Sequence, residues 1–184
     1  MTRSLQALLG GGVLEAARGL LGRRLRSDIG GEVCEVILTE VEAYAGADDP
    51  ASHAYRGKTP RTRTMFGPPG HLYVYRSYGI HWCMNVVTGP EGQASAVLLR
   101  GGFPVAGEAV MAQRRGRADH LTDGPGKLCQ ALGVTGANDG APLSEGPVRL
   151  HDADPITGVV ITTSRVGVGK AADRLWRFVL TKGV

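Results

Sequence analysis

Apolar residues recur at helical spacing in VLEAARGLL, residues 13–21, where Val13, Ala17, Leu20 and Leu21 share a face. The spacing predicts a helix that stops at Gly22. The N-terminal stretch up to it is broken by Gly10–Gly12 and Glu15, and no small-residue cleavage site follows a long apolar run. It therefore reads as a helical lead-in and not as an export signal. Beyond Gly22 the period falls to two. RRLRSD predicts a charged strand, Gly30-Gly31 a turn, and EVCEVILTEVEAY, 32–44, a long strand rich in β-branched residues. Residues 45–70 hold many Gly, Pro, Asp and Arg and read as a long ordered loop. HLYVY and IHWCMNVVT predict a hairpin turning at Tyr78-Gly79, so Tyr78 sits at its tip. A strand over 94–102, a helix over 106–116 and a short helix at GPGKLCQALGV, with Pro125 near its start, follow. Strands near 147–151, 158–165 and 175–181 close the chain. Strands dominate and strand–helix alternation does not recur. The pattern predicts one α+β domain over residues 1–184 with a mostly antiparallel sheet.

Strict alternation in the long strand puts Val36, Leu38, Glu40, Glu42 and Tyr44 on one face and Ile37, Thr39, Val41 and Ala43 on the other. Residues two apart on a strand stand roughly 7 Å apart. Such a pair of carboxylates fits a solvated edge, and it also fits a general base in a partly apolar strand. The pattern does not choose between Glu40 and Glu42.

Composition narrows the classes. Hydrophobic content of 42% and charged content of 21% are those of a globular protein, and no run of 18 apolar residues predicts a membrane span. Cys34, Cys83 and Cys129 are odd in number and widely spaced, which suits a reducing cytoplasm. No C-x-x-C predicts zinc, and G-x-S-x-G is absent. GPGK fails the phosphate-loop pattern at Leu121 and Leu128. The formal net charge of +4 is compatible with a polyanionic partner. Arg56, Lys58, Arg61 and Arg63 form one basic cluster, and Arg114, Arg115 and Arg117 another. The first abuts the region that holds all five tyrosines, Tyr44, Tyr55, Tyr73, Tyr75 and Tyr78. Tyr73 reads as core. Tyr44 and Tyr75 could wall a slot for a flat ligand, while a ring at a hairpin tip fits a wedge between base steps. The first basic cluster would then hold phosphates.

These residues stand in stretches that resemble the alkyladenine (methylpurine, 3-methyladenine) DNA glycosylase family. The matching segments are EVEAYAGADDPASHAYRGKTPRTRTMFGPPGHLYVYRSYGIHWCMNVVT, AVLLRG, GPGKLCQALG and SRVGVG, in the family's order from about residue 20 to 180. The resemblance implies a single domain with a curved antiparallel sheet, a few flanking helices and a protruding hairpin. It implies a monofunctional, monomeric, cytoplasmic repair enzyme working without metal or organic cofactor. Its partner would be double-stranded DNA, from which it would flip and excise damaged purines such as 3-methyladenine, 7-methylguanine or hypoxanthine. Glu42 would be the general base. Arg100 and the Val166 carbonyl would help hold the water. Tyr44 and Tyr75 would stack on the base, the His53 region would meet its edge, and Asn85 would exclude a guanine amino group. Tyr78 would fill the gap in the duplex beside Ile80, which stands where some members carry methionine. A non-catalytic nucleic-acid-binding domain of the same fold is the alternative. A carbohydrate hydrolase using Glu40 and Glu42 is a more distant one.

Overall fold

A computed structural model of the chain describes residues 4–151 and 158–182. Helices α1 (Leu5–Leu9) and α2 (Val13–Leu20) lead in, with the Ser4 hydroxyl capping α1 by accepting from the Ala7 N–H. Among the described residues eight strands follow: β1 (Arg24–Ser27), β2 (Cys34–Tyr44), β3 (Leu72–Ser77), β4 (His81–Val87), β5 (Ala96–Ala106), β6 (Val148–His151), β7 (Gly158–Thr163) and β8 (Arg177–Lys182). Helices α3 (Glu108–Arg115) and α4 (Pro125–Leu132) lie between β5 and β6. The α+β class and the order of elements are those the periodicity predicts. Pro125 opens α4 at its first turn, and Gly133, at φ 75°, closes it in the left-handed conformation that glycine tolerates.

All strand pairings are antiparallel. The sheet runs β3-β4-β5-β2-β1-β6, while β8 joins the Glu40–Glu42 end of β2 and β7 lies outside β8. The sheet is curved and wraps a core of Leu20, Leu25, Val36, Leu38, Leu99, Met111, Leu128 and Phe178. β3 and β4 project as the expected hairpin.

The alternation expected for β2 does not hold along its length. Register shifts fall between Leu38 and Glu40 and between Glu40 and Val41. They move the inward set by one residue: Val36 and Leu38 enter the core before the irregularity, and Val41 and Ala43 after it. Leu38 therefore does not share a face with the glutamates. The bulge turns Glu40 and Glu42 to the other side of the sheet, because an extra residue inverts every later side chain.

The 45–70 loop is ordered, as expected. Ala54 and Met65 bury themselves in a second apolar cluster with Tyr73, Val87 and Ala96. The loop leaves β2 through Gly46, at φ 60°, where an added Cβ would stand 1.9 Å from the Ala94 carbonyl oxygen. Gly46→Ala combines left-handed strain with a backbone clash, and is expected to cost roughly 2–4 kcal/mol of unfolding free energy. Urea denaturation checks this; an unchanged midpoint would mean that the turn can relax. Among the described residues no helix is long and apolar enough to cross a membrane.

Candidate active site

The end of β2 delivers Glu42 and Tyr44 beneath a cavity of about 850 Å³ lined by Tyr44, His53, Tyr75, Tyr78, Asn85 and Arg100 among others. Glu42 is 0% exposed. Its Oε2 accepts from the Tyr44 hydroxyl at 2.8 Å and its Oε1 accepts from the Val166 N–H at 2.7 Å. Arg100 Nε lies 3.4 Å from the same Oε1. Val166 and Arg100 both line the cavity, so the carboxylate stands one layer behind its wall. The bond to Glu42 comes from the Val166 N–H, an atom distinct from the carbonyl expected to help hold the water.

Glu40 is built differently. Its Oε1 accepts from Arg100 Nε and from Arg177 Nε, each at 2.7 Å. Burial pushes the Glu40 carboxyl up, but the bonds from Arg177 and Arg100 outweigh it and hold the group below the usual carboxylate range. Glu40 is thus a fixed counterion that sets Arg100, and a poor proton acceptor. The partner chemistry separates two glutamates that the strand pattern could not.

The tyrosines form the cavity's frame. Burial, then the adjacent Glu42 charge, push the Tyr44 hydroxyl up, so it keeps its proton and donates. Tyr75 is likewise raised, first by burial and then by Cys83. Tyr73 is buried with the second apolar cluster, as expected of a core ring, yet it also edges the cavity. It stacks on Tyr75 with centroids 5.6 Å apart, and its hydroxyl meets His53 Nδ1 at 3.1 Å. His53 is open on its cavity side. Packing around the ring, then the charge of Arg61, lower its pKa to about 4, so it is neutral at pH 7. Its ring stands edge-on to Tyr75 at 4.5 Å. Asn85 is buried, and its Nδ2 donates to the Tyr73 carbonyl at 3.0 Å.

At the hairpin tip Tyr78 is 93% exposed and Ile80 65%. Of the first basic cluster, Arg56, Lys58 and Arg63 face solvent, Lys58 lying over the Phe66 ring at 5.9 Å. Arg61 is exposed too, and it also lines the cavity, 5.5 Å from the Tyr75 centroid. The second cluster is largely structural: Arg114 donates to the Ile29 and Ala131 carbonyls, Arg115 to Gln130 and Arg117 to Asp119. Local pattern passed over Arg76 and Lys170, which line the cavity, and a buried pair, Asp49 and Arg165. Asp49 lies in the DDP turn of the loop and Arg165 at the start of RVGVG; neither stretch marks an ion pair. Among the described residues no three His, Cys, Asp or Glu side chains cluster as metal ligands.

The family model for methylpurine-DNA glycosylase matches residues 8–183. A relative from Rhodopseudomonas palustris is 54% identical over 144 residues, covering 77% of this chain and 69% of its own length. One from Agrobacterium fabrum is 50% identical over 167 residues, covering 90% and 82%. One from Rhodococcus jostii is 50% identical over 175 residues, covering 90% and 76%. All three carry the provisional name 3-methyladenine DNA glycosylase.

Proposed function

This chain belongs to the methylpurine-DNA glycosylase family, hydrolases of N-glycosidic bonds in DNA, and we propose that it excises alkylated and deaminated purines from duplex DNA by base flipping. The observation that carries this reading is the buried Glu42 carboxylate, fixed by Tyr44, Val166 and Arg100 behind a cavity walled by tyrosines.

In this reading the flipped purine enters between Tyr44 and Tyr75. Rings on its faces favour a cationic N-alkylpurine, and a damaged base costs less to extrude because it pairs weakly. Neutral His53, its Nδ1 engaged by the Tyr73 hydroxyl, offers Nε2 to a base edge, one hydrogen bond that suits an uncharged lesion such as hypoxanthine. Asn85, its amide committed to the Tyr73 carbonyl, stands as a fixed obstacle to a guanine amino group. As the purine departs, positive charge grows on the deoxyribose. The Glu42 carboxylate stabilises it and takes a proton from the water that attacks the sugar carbon. Arg100, oriented by Glu40, positions that water and the nearby phosphate. Tyr78 and Ile80 occupy the gap in the duplex, while Arg56, Lys58 and Arg63 hold phosphates. Lys170 lines the cavity but is exposed at its mouth, and water is the nucleophile assigned to the reaction.

The test incubates the purified protein, with EDTA present, with a duplex carrying one hypoxanthine and with a methylated duplex. Alkali-labile sites are expected in both, with strands intact until alkali is added. Breaks before alkali would contradict a monofunctional enzyme. No release from either duplex would leave a DNA-binding domain that has kept the fold and lost the reaction.

A further inference from the structure

The segment that follows β7, residues 164–171, has no regular secondary structure, yet it supplies the N–H that fixes Glu42 Oε1. Something must hold that segment in place. Arg165, the residue before Val166, has a side chain 0% exposed that makes a two-pronged ion pair with Asp49, itself 0% exposed. The same guanidinium donates to the Ala43 carbonyl at 2.9 Å and to the Ala171 carbonyl at 3.4 Å. It lies 4.7 Å from the Tyr44 ring centroid and 5.2 Å from that of Trp176. Asp49 in turn accepts from the Ala45 and Ala51 N–H groups, which ties down the start of the long loop. The end of β2 and the loop that continues it therefore meet residues 164–171, more than a hundred positions away, on one buried ion pair.

Both hydrogen bonds that orient the Glu42 carboxylate start from groups this pair holds. One comes from Tyr44, whose ring rests against the guanidinium. The other comes from Val166, one peptide beyond Arg165. We propose that Asp49 and Arg165 are positioning residues for Glu42 and Tyr44, acting on the excision step and not on DNA binding. This rests on the glycosylase reading above. A buried ion pair can often be replaced by apolar groups of similar volume without loss of stability, so a fold has no general need of one. What apolar side chains cannot reproduce is the direction: the fork fixes the backbone at Ala43 and Ala171 as well as the carboxylate.

The experiment compares the wild type with Asp49→Leu/Arg165→Met, which removes both charges together, and with Arg165→Lys, which keeps the charge and loses the fork. Single-turnover release of hypoxanthine is measured beside affinity for an undamaged duplex and thermal unfolding. The double variant is expected to unfold cooperatively, to bind DNA within about twofold of wild type and to release base at least about tenfold more slowly, since small misplacements of a reacting group carry such factors. Arg165→Lys is expected to fall between the two. A folded double variant with the wild-type rate overturns the proposal. So does a rate that falls only in proportion to DNA affinity or to the folded fraction, and so does failure of both variants to fold, which would make the pair purely structural. If the wild type itself releases no base, the glycosylase reading fails; if only the variants match an active wild type, this inference alone fails.

Discussion

Glutamine at position 42 is expected to slow single-turnover purine release by about a thousandfold, with fold and DNA affinity near wild type. The substitution changes charge and almost nothing else. The amide oxygen can still accept from the Val166 N–H, and the Tyr44 hydroxyl can rotate to accept from the new NH₂ where it now donates to Oε2. Arg100 keeps its strong bond to Glu40 at 2.7 Å, so no buried cation is left unpaired. Stability therefore changes little, while on the proposed mechanism the site loses both the charge that meets a developing oxocarbenium ion and the atom that accepts the water's proton. Glu40→Gln is the informative control, because it loosens Arg100 and Arg177 without touching the Glu42 carboxylate. A Glu42→Gln enzyme with wild-type release would remove the base from this residue. Equal losses in both variants would move the effect from the carboxylate to the arginine that lies between them.

That choice between two glutamates shows where the sequence is legible and where it stops. Helices and strands followed from local signals: the spacing in α2, Pro125 and Gly133 around α4, and the tyrosine hairpin of β3 and β4. Tyr44 and Tyr75 were legible as ring walls, His53, Asn85 and Arg100 through the family resemblance, and the structure brings the five together. The facing of β2 was not, because alternation presumes an unbroken register and a bulge leaves no mark that periodicity detects. The contacts of Glu40 and Arg61 were hidden for a related reason. What decides them is the neighbour each side chain finds across the sheet or loop: Arg100 and Arg177 for one, Tyr75 for the other. Asp49 and Arg165, 116 positions apart, represent the limiting case. Each looks ordinary in its own stretch, and only the fold makes them a pair.

Tyr78→Asn is expected to leave stability unchanged or raise it by a few tenths of a kcal/mol, while lowering release from a fully paired duplex by about a hundredfold. The sign of the first effect comes from the turn. Tyr78 and Gly79 have φ of 49° and 68°, and the Ile80 N–H donates to the Ser77 carbonyl at 2.9 Å, the signature of a type I′ turn. Asn-Gly suits that turn best, whereas a bulky ring in the left-handed region is strained. At 93% exposure the ring regains almost nothing by packing. A residue that costs the free protein stability and makes no contact to offset it is explained by a contact made elsewhere. Insertion between base steps is the contact that a projecting hairpin with Ile80 beside it can make, and unstacking a step is worth a few kcal/mol. The discriminating measurement sets the paired duplex against one in which the lesion is already unpaired. There the wedge has less to do, so Tyr78→Asn should lose much less. Losses of the same size on both substrates would mean that the ring serves the cavity it also lines, and not the duplex.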